Sequence, residues 1–319
     1  MEDRGTVKRF MNSDYEEYLG QRKGGSYREY RKAWNQTGNM MEKHPHPLQL
    51  NIELTSFCNL RCKMCYYNFI ENKTREYMSL ELVDQIVEEA KSLQVESIWL
   101  GAYSEALIHP HMVEILRKFA EVKSEDYWLL TNGTRLSEEI SETLVDIPLT
   151  WLSVSLDAAT PETYKKVRGG GALELVENNI FKFLKLREKK KSRLPFLRVS
   201  FVDMPENHDE LEAFKEKWKG KADIIDVQTL VDFSSEGLKS EINQEFVCRD
   251  VYRLLSVKYD GELLPCCNSA YKNVGQRFYI QDCSIRQFWE SGFHETLLES
   301  VKSKQYLPCC AECVRRWTK

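Results

Sequence analysis

The stretch Cys58-Asn59-Leu60-Arg61-Cys62-Lys63-Met64-Cys65, called the cysteine loop below, spaces three cysteines as C-x3-C-x2-C. It follows directly on a strand pattern, residues 48–54, in which apolar and polar residues alternate. Three thiolates on one short loop can hold three irons of a cubane cluster and leave the fourth iron open to a substrate or cofactor. A zinc knuckle is the alternative, but the x3 spacing, the lack of a fourth ligand nearby and the position after a strand argue against zinc.

Outward from this loop, strand patterns alternate with helical patterns. Further strands are predicted at Val95–Leu100, Tyr127–Thr131, Trp151–Leu156, Leu197–Val202 and Ile224–Leu230. Amphipathic helical stripes lie between them, as at Leu82–Leu93 and Leu173–Leu186, although no helix can be placed after the last strand. Repeated βα units imply a parallel sheet with helices outside it. Six units predict an α/β fold, a partial (β/α)6 TIM-like barrel, with functional groups at the carboxyl ends of its strands.

The pattern divides the chain into an N-terminal helical and extended segment, the barrel and a C-terminal cysteine-bearing module, at residues 1–47, 48–235 and 236–319. The first segment is polar and rich in aromatic residues, and it ends at His44-Pro45-His46-Pro47. The C-terminal module is predicted to contain a β-hairpin with its turn at Asp260-Gly261 and a helical stretch from Ser284 to Val301.

Composition limits the partners and the compartment. The 319 residues carry a formal net charge of −4, which gives no electrostatic case for nucleic-acid binding. No apolar run is long enough to span a bilayer, and the first residues lack the apolar core of a signal peptide. We therefore expect a cytoplasmic protein without a membrane partner, in which the ten cysteines serve metal binding or catalysis rather than disulfides.

The cysteine loop, at this position on a six-unit barrel, resembles that of the radical S-adenosylmethionine (SAM) superfamily. Shorter motifs match at later strand ends. Gly101-Ala102-Tyr103-Ser104-Glu105-Ala106 stands where the family has a GGEP-like motif, and it keeps the Glu but lacks the second Gly and the Pro. Thr131-Asn132-Gly133, Ser153-Val154-Ser155-Leu156-Asp157 and Arg168 also match family positions. The resemblance covers residues 48–230.

The resemblance implies a [4Fe–4S] cluster with an open iron, held by Cys58, Cys62 and Cys65. It also implies SAM bound beside the cluster. Ser104 and Glu105 are expected to face the methionyl amino group, and Arg168 suits the methionyl carboxylate because its planar fork matches that shape. The full set of expected cofactor contacts is Met64, Ser104, Glu105, Asn132, Ser155, Asp157 and Arg168.

The chemistry that the resemblance implies is hydrogen abstraction by a radical. A flavodoxin- or ferredoxin-type reductant supplies one electron, and SAM is cleaved to methionine and a 5′-deoxyadenosyl radical. That radical takes a hydrogen from an unactivated carbon of the substrate. The protein positions the cofactor and excludes water.

A second set of cysteines lies near the C-terminus. Four of them could close a further site completely, namely Cys248, Cys266, Cys310 and Cys313. A structural zinc site could use the same four thiolates. The set resembles the short "twitch" form of the SPASM extension, which implies one auxiliary [4Fe–4S] cluster. Cys267 and Cys309 adjoin these ligands and could replace them.

Cys283 stands apart from both sets. The plain interpretation is a small buried residue. The sharper hypothesis is a hydrogen-atom donor that quenches a substrate radical from the opposite face, which gives epimerisation.

The substrate is expected to be small and polar. The twitch group includes a dehydrogenase of an aminocyclitol and an epimerase of aminoglycosides, so the resemblance implies oxidation or epimerisation of a sugar, aminocyclitol or nucleotide-sugar. A peptide maturase is the alternative, although residues 1–47 are too short for a peptide-recognition domain and lack its strand pattern. A non-enzymatic iron–sulfur electron carrier or a zinc-stapled binding protein is the alternative of a different class.

Overall fold

The computed structural model describes residues 7–11, 14–40, 42–70, 73–234, 237, 246, 248–267 and 275–316, with the backbone alone at 11, 40 and 309. The strands within these residues, β1 to β10 in chain order, are Val7–Met11, Gln49–Ile52, Ser97–Leu100, Asp126–Thr131, Trp151–Ser155, Phe196–Asp203, Ile224–Thr229, Leu254–Val257, Glu262–Leu264 and Phe278–Tyr279. The helices, α1 to α11, are Tyr15–Lys23, Gly25–Met40, Leu80–Leu93, Met112–Ala120, Glu138–Asp146, Pro161–Arg168, Leu173–Lys189, Leu211–Trp218, Ile285–Trp289, Gly292–Lys302 and Pro308–Arg316.

Six neighbouring strands, β2 to β7, pair in parallel and form the barrel wall. They confirm the predicted α/β fold, a partial TIM-like barrel with six parallel strands. Side chains alternate across the wall, as β3 illustrates. Ile98 and Leu100 are completely buried in the core between sheet and helices, whereas Trp99 faces the barrel interior. The interior is lined mainly by aromatic and polar residues, together with a few aliphatic ones such as Leu130 and Val202.

The outer helices begin where the sequence supplies capping residues. Ser79 accepts a hydrogen bond from Leu82 N at the start of α3, and Ser137 accepts one from Ile140 N at the start of α5. Their apolar stripes pack on the sheet, as the periodicity predicts. In the described part of the chain, no helix combines the length and the apolar character needed to cross a membrane.

Further strands extend the sheet on both sides of the barrel. The predicted hairpin is confirmed, since β8 and β9 pair antiparallel. In addition, β8 pairs in parallel with β2, with Gln49 opposite Leu254, so the C-terminal segment continues the barrel sheet. The predicted domain boundary between residues 235 and 236 lies outside the described residues.

Three local expectations were wrong or incomplete. Residues 1–47 contain a strand after all, because β1 pairs antiparallel with β7. Helix α6 was not predicted, although Thr160 caps it and Pro161 occupies its first turn. The stretch 284–301 forms two helices, because Ser291 accepts a hydrogen bond from His294 N and starts a new one.

The N-terminal helices close one end of the barrel. As predicted, they are broken near Gly24, where φ is 73°. Tyr15 packs edge-on against Trp151 at the start of β5, with ring centroids 4.7 Å apart. Strand starts and the cysteine loop lie at opposite ends of a parallel barrel. Helices α1 and α2 therefore pack at the end of the barrel opposite the loop, whereas β1 runs along β7 until Val7 lies opposite Gln228 near the carboxyl ends of the strands.

Candidate active site

A cavity of about 330 Å³ opens at the carboxyl ends of the barrel strands. The carboxyl ends of parallel strands meet at one edge, so residues distant in sequence converge there. The cavity is lined by the three cysteines of the loop and by all seven predicted cofactor contacts, Cys58, Cys62, Cys65, Met64, Ser104, Glu105, Asn132, Ser155, Asp157 and Arg168. The structure thus brings together the whole predicted SAM site.

Backbone hydrogen bonds hold the cysteine loop on the end of α6. Arg61 N donates to Arg168 O over 3.2 Å, and Lys63 N donates to Val167 O over 2.8 Å. Gly169 follows α6 with a φ of 63°, and a Cβ at this position would lie 2.1 Å from Arg61 O. Only glycine allows both that backbone conformation and that approach.

N–H groups point at two of the thiols. Leu60 N lies 3.4 Å from Cys58 Sγ, and Tyr67 N lies 3.4 Å from Cys65 Sγ. Asn132 Nδ2 lies 3.8 Å from Cys58 Sγ. Such donors stabilise thiolate and tune the reduction potential of an iron–sulfur cluster. The loop therefore supplies three thiolate ligands, and nearby N–H groups can donate hydrogen bonds to two of them.

The donor set fits a cluster better than a single ion. Burial raises the pKa of the Cys58 thiol to about 11 and that of Cys62 to about 12. In a site for one ion, all ligand atoms lie close together. Among the described residues, a search for three or more His, Cys, Asp or Glu side chains with ligand atoms within 4.8 Å of one another finds His44, His46 and Glu96. It does not find the three cysteines of the loop. A cubane holds its thiolates on different irons, which matches a wider spacing of the three cysteines.

Glu105 is a buried carboxylate with a fixed orientation. Its Oε1 accepts hydrogen bonds from Thr131 Oγ1 over 2.6 Å and from Leu107 N over 3.1 Å. Its Oε2 accepts one from Asn132 N over 2.7 Å. Burial raises the pKa of Glu105, and the hydrogen bonds from Thr131 and Asn132 oppose that rise. A cationic partner in the cavity would favour the ionised form further.

Asp157 and Arg168 form a buried ion pair, with Nη1 and Oδ2 2.6 Å apart. Asp157 Oδ1 also accepts a hydrogen bond from Val202 N over 2.8 Å, so both oxygens are used within the protein. Burial disfavours the charge of Arg168, but the nearby Cys62 and Asp157 raise its pKa. Arg168 Nε is buried and has no hydrogen-bond partner among the described residues.

Tyr103 is a cavity residue that sequence reasoning did not single out. Its hydroxyl donates to Ser256 Oγ over 2.8 Å and lies 3.2 Å from Cys266 O, while its carbonyl accepts from Tyr66 Oη over 2.5 Å. It therefore connects the cavity to the second set of cysteines. The sequence feature that could have identified Tyr103 is its position next to Ser104 in the Gly101–Ala106 motif.

Four more cavity residues were missed because they lie within strands, at Trp99, Arg198, Ser200 and Gln228. Trp99, Arg198 and Ser200 alternate with buried apolar neighbours, and Gln228 follows the buried Val227. An inward-facing residue of a barrel strand is visible in the sequence only as the exception in an apolar pattern. That exception was the signal that could have found them.

Most of the second cysteine set gathers around one apolar cluster. The cluster contains Val251, Tyr252, Leu297, Leu298 and Val301. Cys248, Cys266 and Cys310 pack against it, and Cys313 follows Cys310 in α11. Cys267 Sγ lies 3.4 Å from Asp250 Oδ2. The side chain of Cys309, the other proposed substitute, lies outside the described residues.

Cys283 lies away from the cavity. It precedes α9 and packs partly against the core, and partial burial, with a smaller effect from the charge of Glu89, raises the pKa of its thiol. It is not among the described residues that line the cavity. Its side chain is partly exposed rather than fully buried, and the role of Cys283 as a hydrogen-atom donor stays a prediction.

The chain matches the Radical SAM superfamily over residues 52–214, about half of its length. The protein belongs to the radical SAM superfamily. Membership implies SAM and a [4Fe–4S] cluster, and the relatives of the chain are radical SAM catalysts. The predicted resemblance is thereby confirmed at the level of the superfamily.

Two relatives show how far the likeness to other radical SAM proteins extends. The tungsten-containing aldehyde ferredoxin oxidoreductase cofactor-modifying protein of Pyrococcus furiosus is 24% identical, over 84% of this chain and 87% of that protein. A probable GTP 3′,8-cyclase of Methanocaldococcus jannaschii is 29% identical, over 59% of this chain and 60% of that protein. The chain thus spans less than two thirds of the cyclase.

Solved structures of radical SAM proteins share the fold. BtrN in complex with AdoMet and 2-DOIA superposes with a TM-score of 0.57 and 16% identity, over 83% of this chain and 89% of that one. Streptococcus suis SuiB bound to S-adenosylmethionine gives a TM-score of 0.61 and 15% identity, over 80% and 68%. At these identities the likeness concerns the fold alone.

Proposed function

We propose that this radical SAM enzyme abstracts hydrogen from a small polar substrate and that the abstraction leads to oxidation. The observation that carries the proposal is the convergence of three cysteines and seven predicted cofactor contacts on one cavity. When bound, the reduced cluster and SAM supply the one-electron chemistry that attacks an unactivated carbon. The residues of the chain bind, orient and shield these groups.

Glu105 is proposed to accept a hydrogen bond from the methionyl ammonium of SAM. Its carboxylate is already oriented by Thr131 and Asn132, so little rearrangement is needed on binding. Burial raises the pKa of Glu105, and an ammonium beside it would lower that pKa again. Ser104 lines the same wall, and its Oγ accepts from Thr55 Oγ1 over 3.0 Å.

Arg168 is proposed to bind the methionyl carboxylate through the side of its guanidinium that carries Nε. That nitrogen is buried and unpaired among the described residues, and an oxygen acceptor would satisfy it. Asp157 uses its oxygens on Arg168 and Val202, so it acts as a positioning residue rather than as a direct cofactor contact. Met64, Asn132 and Ser155 complete the wall.

The second cysteine set is proposed to hold one auxiliary [4Fe–4S] cluster on Cys248, Cys266, Cys310 and Cys313. After hydrogen abstraction, an oxidation needs an acceptor for the second electron. This set could supply one, because the cavity residue Tyr103 places its hydroxyl 3.2 Å from the carbonyl oxygen of Cys266. Three of its cysteines pack on the same apolar cluster, which supports a common site. Epimerisation is the other outcome of the same abstraction, with Cys283 as its predicted hydrogen-atom donor.

Detection of 5′-deoxyadenosine tests the proposed activity. The anaerobically reconstituted enzyme, given SAM and dithionite or a flavodoxin- or ferredoxin-type reductant, is expected to form it. Cys65→Ala should abolish its formation, and Cys283→Ala, away from the cavity, should leave it unchanged. An electron carrier or zinc-stapled binding protein would form no 5′-deoxyadenosine in any variant, and that result would refute the proposal.

Metal analysis tests the auxiliary cluster separately. The reconstituted protein should contain about eight irons and matching sulfide, and Cys266→Ala with Cys310→Ala should reduce this to about four. Zinc in place of the second four irons would identify the zinc alternative. Products from panels of sugars, aminocyclitols and nucleotide-sugars, compared with the mass of co-expressed peptides, would separate a small substrate from a peptide.

A further inference from the structure

Two histidines and a glutamate lie together at the amino ends of the barrel strands and are called the histidine cluster below. His44 and His46 belong to the connector that leads from α2 to β2, and Glu96 directly precedes β3. Each residue offers one ligand atom, and the three atoms lie within 4.8 Å of one another. The SAM cavity opens at the carboxyl ends of the same strands, so the histidine cluster is a separate site.

The histidine cluster has the ligand types of a transition-metal site. Two imidazoles and one carboxylate bind zinc and ferrous iron in proteins. His46 Nε2 lies 3.1 Å from Glu96 Oε2. Tetrahedral zinc, with bonds of about 2.1 Å, needs ligand atoms roughly 3.4 Å apart, so this pair is already close to the required separation. The rings of His44 and His46 meet edge to face with centroids 4.5 Å apart, and a small ring rotation would complete the site.

The ring of His44 already makes the supporting hydrogen bond that is typical of a metal ligand. Its Nδ1 lies 2.9 Å from His46 O. A carbonyl oxygen can only accept, so in the neutral ring Nδ1 carries the hydrogen and Nε2 keeps the lone pair. Histidines that bind a metal almost always donate their other N–H to a carbonyl or carboxylate oxygen in this way.

The connector holds both histidines in place. Pro45 and Pro47 follow them directly and restrict the backbone of each histidine to extended conformations. His44 N donates to Tyr252 O over 3.3 Å, and His44 O accepts from Trp289 Nε1 over 2.7 Å. These main-chain bonds do not depend on the imidazole. They fix the connector against the C-terminal region and leave the ring available to a ligand.

We propose that the histidine cluster binds one divalent transition-metal ion, such as zinc, through His44, His46 and Glu96. The side chains of His46 and Glu96 are 20% and 23% exposed, so water can reach the ion and fill its remaining coordination position. The ion takes no part in the chemistry of the SAM cavity. It joins the connector to the start of β3 and stabilises the closed end of the barrel.

Zinc uptake tests the proposal on the reconstituted enzyme, in which the iron–sulfur clusters already occupy their cysteines. Zinc is added, the excess is removed by dialysis, and the zinc gained is measured by elemental analysis. About one additional zinc per chain is expected. X-ray absorption at the zinc edge should show nitrogen and oxygen ligands at about 2.1 Å and no sulfur at about 2.3 Å. Excess magnesium, which prefers oxygen ligands, should not displace the zinc.

Two conservative variants separate a metal site from a simple ion pair. His46→Gln keeps a donor towards Glu96 but removes the imidazole, and Glu96→Gln keeps an acceptor for His46 but removes the charge. Each should weaken zinc binding by at least about tenfold. His208→Ala is the matched control, because His208 also pairs with a carboxylate, Asp203 Oδ1 at 2.8 Å, but belongs to no group of three ligands among the described residues. It should bind zinc as the wild type does.

Thermal unfolding provides a second measurement. Zinc should raise the melting temperature of the wild type and of His208→Ala but not that of His46→Gln, because only an ion that binds the folded state stabilises it. Iron content checks that each variant has folded, and Glu96→Gln gives the same test independently. The inference is overturned if dialysed protein retains no additional zinc, if that zinc has sulfur ligands, or if His46→Gln and Glu96→Gln bind it as tightly as the wild type.

Discussion

Arg168 Nη1 lies 2.6 Å from Asp157 Oδ2, and both side chains are buried where β5 and α6 meet the cavity. Asp157 has a φ of 62° and also accepts a hydrogen bond from Val202 N, so the arginine is tied to β6 before any ligand arrives. The guanidinium is thereby oriented in advance. Preorganisation of this kind reduces the entropy lost on binding.

Arg168→Lys is expected to weaken SAM binding about tenfold or more, which corresponds to about 1.4 kcal/mol. Lysine keeps the charge but loses the planar fork and the Nε donor. Equilibrium dialysis of the reconstituted protein measures the affinity, with Arg193→Lys as an exposed control. Unchanged affinity in Arg168→Lys would show that the methionyl carboxylate binds elsewhere.

Asp157→Asn is expected to lower stability by about 3–5 kcal/mol, because it leaves a buried guanidinium without its counter-charge. SAM affinity should fall as well, since the side chain of Arg168 is no longer held. Denaturant unfolding under anaerobic conditions gives the first quantity and dialysis gives the second. Loss of affinity with full stability would instead identify Asp157 as a direct contact.

Gly169→Ala is expected to prevent assembly of the first cluster. Its Cβ would lie 2.1 Å from Arg61 O, and the positive φ adds strain. Gly220 is a matched control, because its φ is 71° and a Cβ there would meet nothing within 4 Å. Gly220→Ala should therefore cost only about 1 kcal/mol of backbone strain and keep its iron. Equal iron content in both variants would contradict the close contact.

Asn132→Ala is expected to make the potential of the first cluster more negative. The amide donates towards Cys58 Sγ, and a donor at a thiolate stabilises the reduced, more negative cluster. One net hydrogen bond of about 1 kcal/mol corresponds to roughly 40 mV for one electron. A redox titration followed by electron paramagnetic resonance measures it.

Asn179→Ala is the control for that shift. Asn179 Nδ2 donates to Gly133 O over 3.0 Å, so this variant loosens the same loop without touching sulfur. Its potential should stay at the wild-type value. Similar shifts in both variants would mean that loop position, and not the N–H group, sets the potential.

The barrel was predictable because its physical rule is local. Each strand places apolar residues towards the helices, as Ile98 and Leu100 do. This alternation can be recognised within a single short segment of the sequence. The SAM site was predictable for a related reason, since its residues follow strand ends in order. Residues on separate segments then meet at one edge of the sheet.

Features that depend on distant partners were not predictable. Strand β1 is short and charged, and Arg9 within it is paired with Asp226, more than two hundred residues away. Trp99 and Arg198 likewise come to line one cavity only in the folded barrel, because they lie on different strands.

Glu53 should make stability depend on pH in neutral solution. It follows β2 and is buried beside the β8–β9 turn, with Lys258 nearby. Burial raises the pKa of Glu53 to about 8, from an ordinary value of 4.5. The folded state therefore holds its proton where the unfolded chain has lost it. Its contribution is fully present below pH 4.5 and is lost as the pH rises towards about 8.

Glu53→Gln cannot ionise, so the stability of this variant relative to wild type should increase across that pH range, by on the order of 4 kcal/mol. Denaturant unfolding at a series of pH values measures the difference. Glu81→Gln serves as the control of opposite sign, because hydrogen bonds from its own backbone and from Ser79 lower the pKa of the exposed Glu81. Its removal should cost stability only above the ordinary pKa. A flat difference between wild type and Glu53→Gln would show that the folded protein ionises Glu53 as readily as the unfolded chain does.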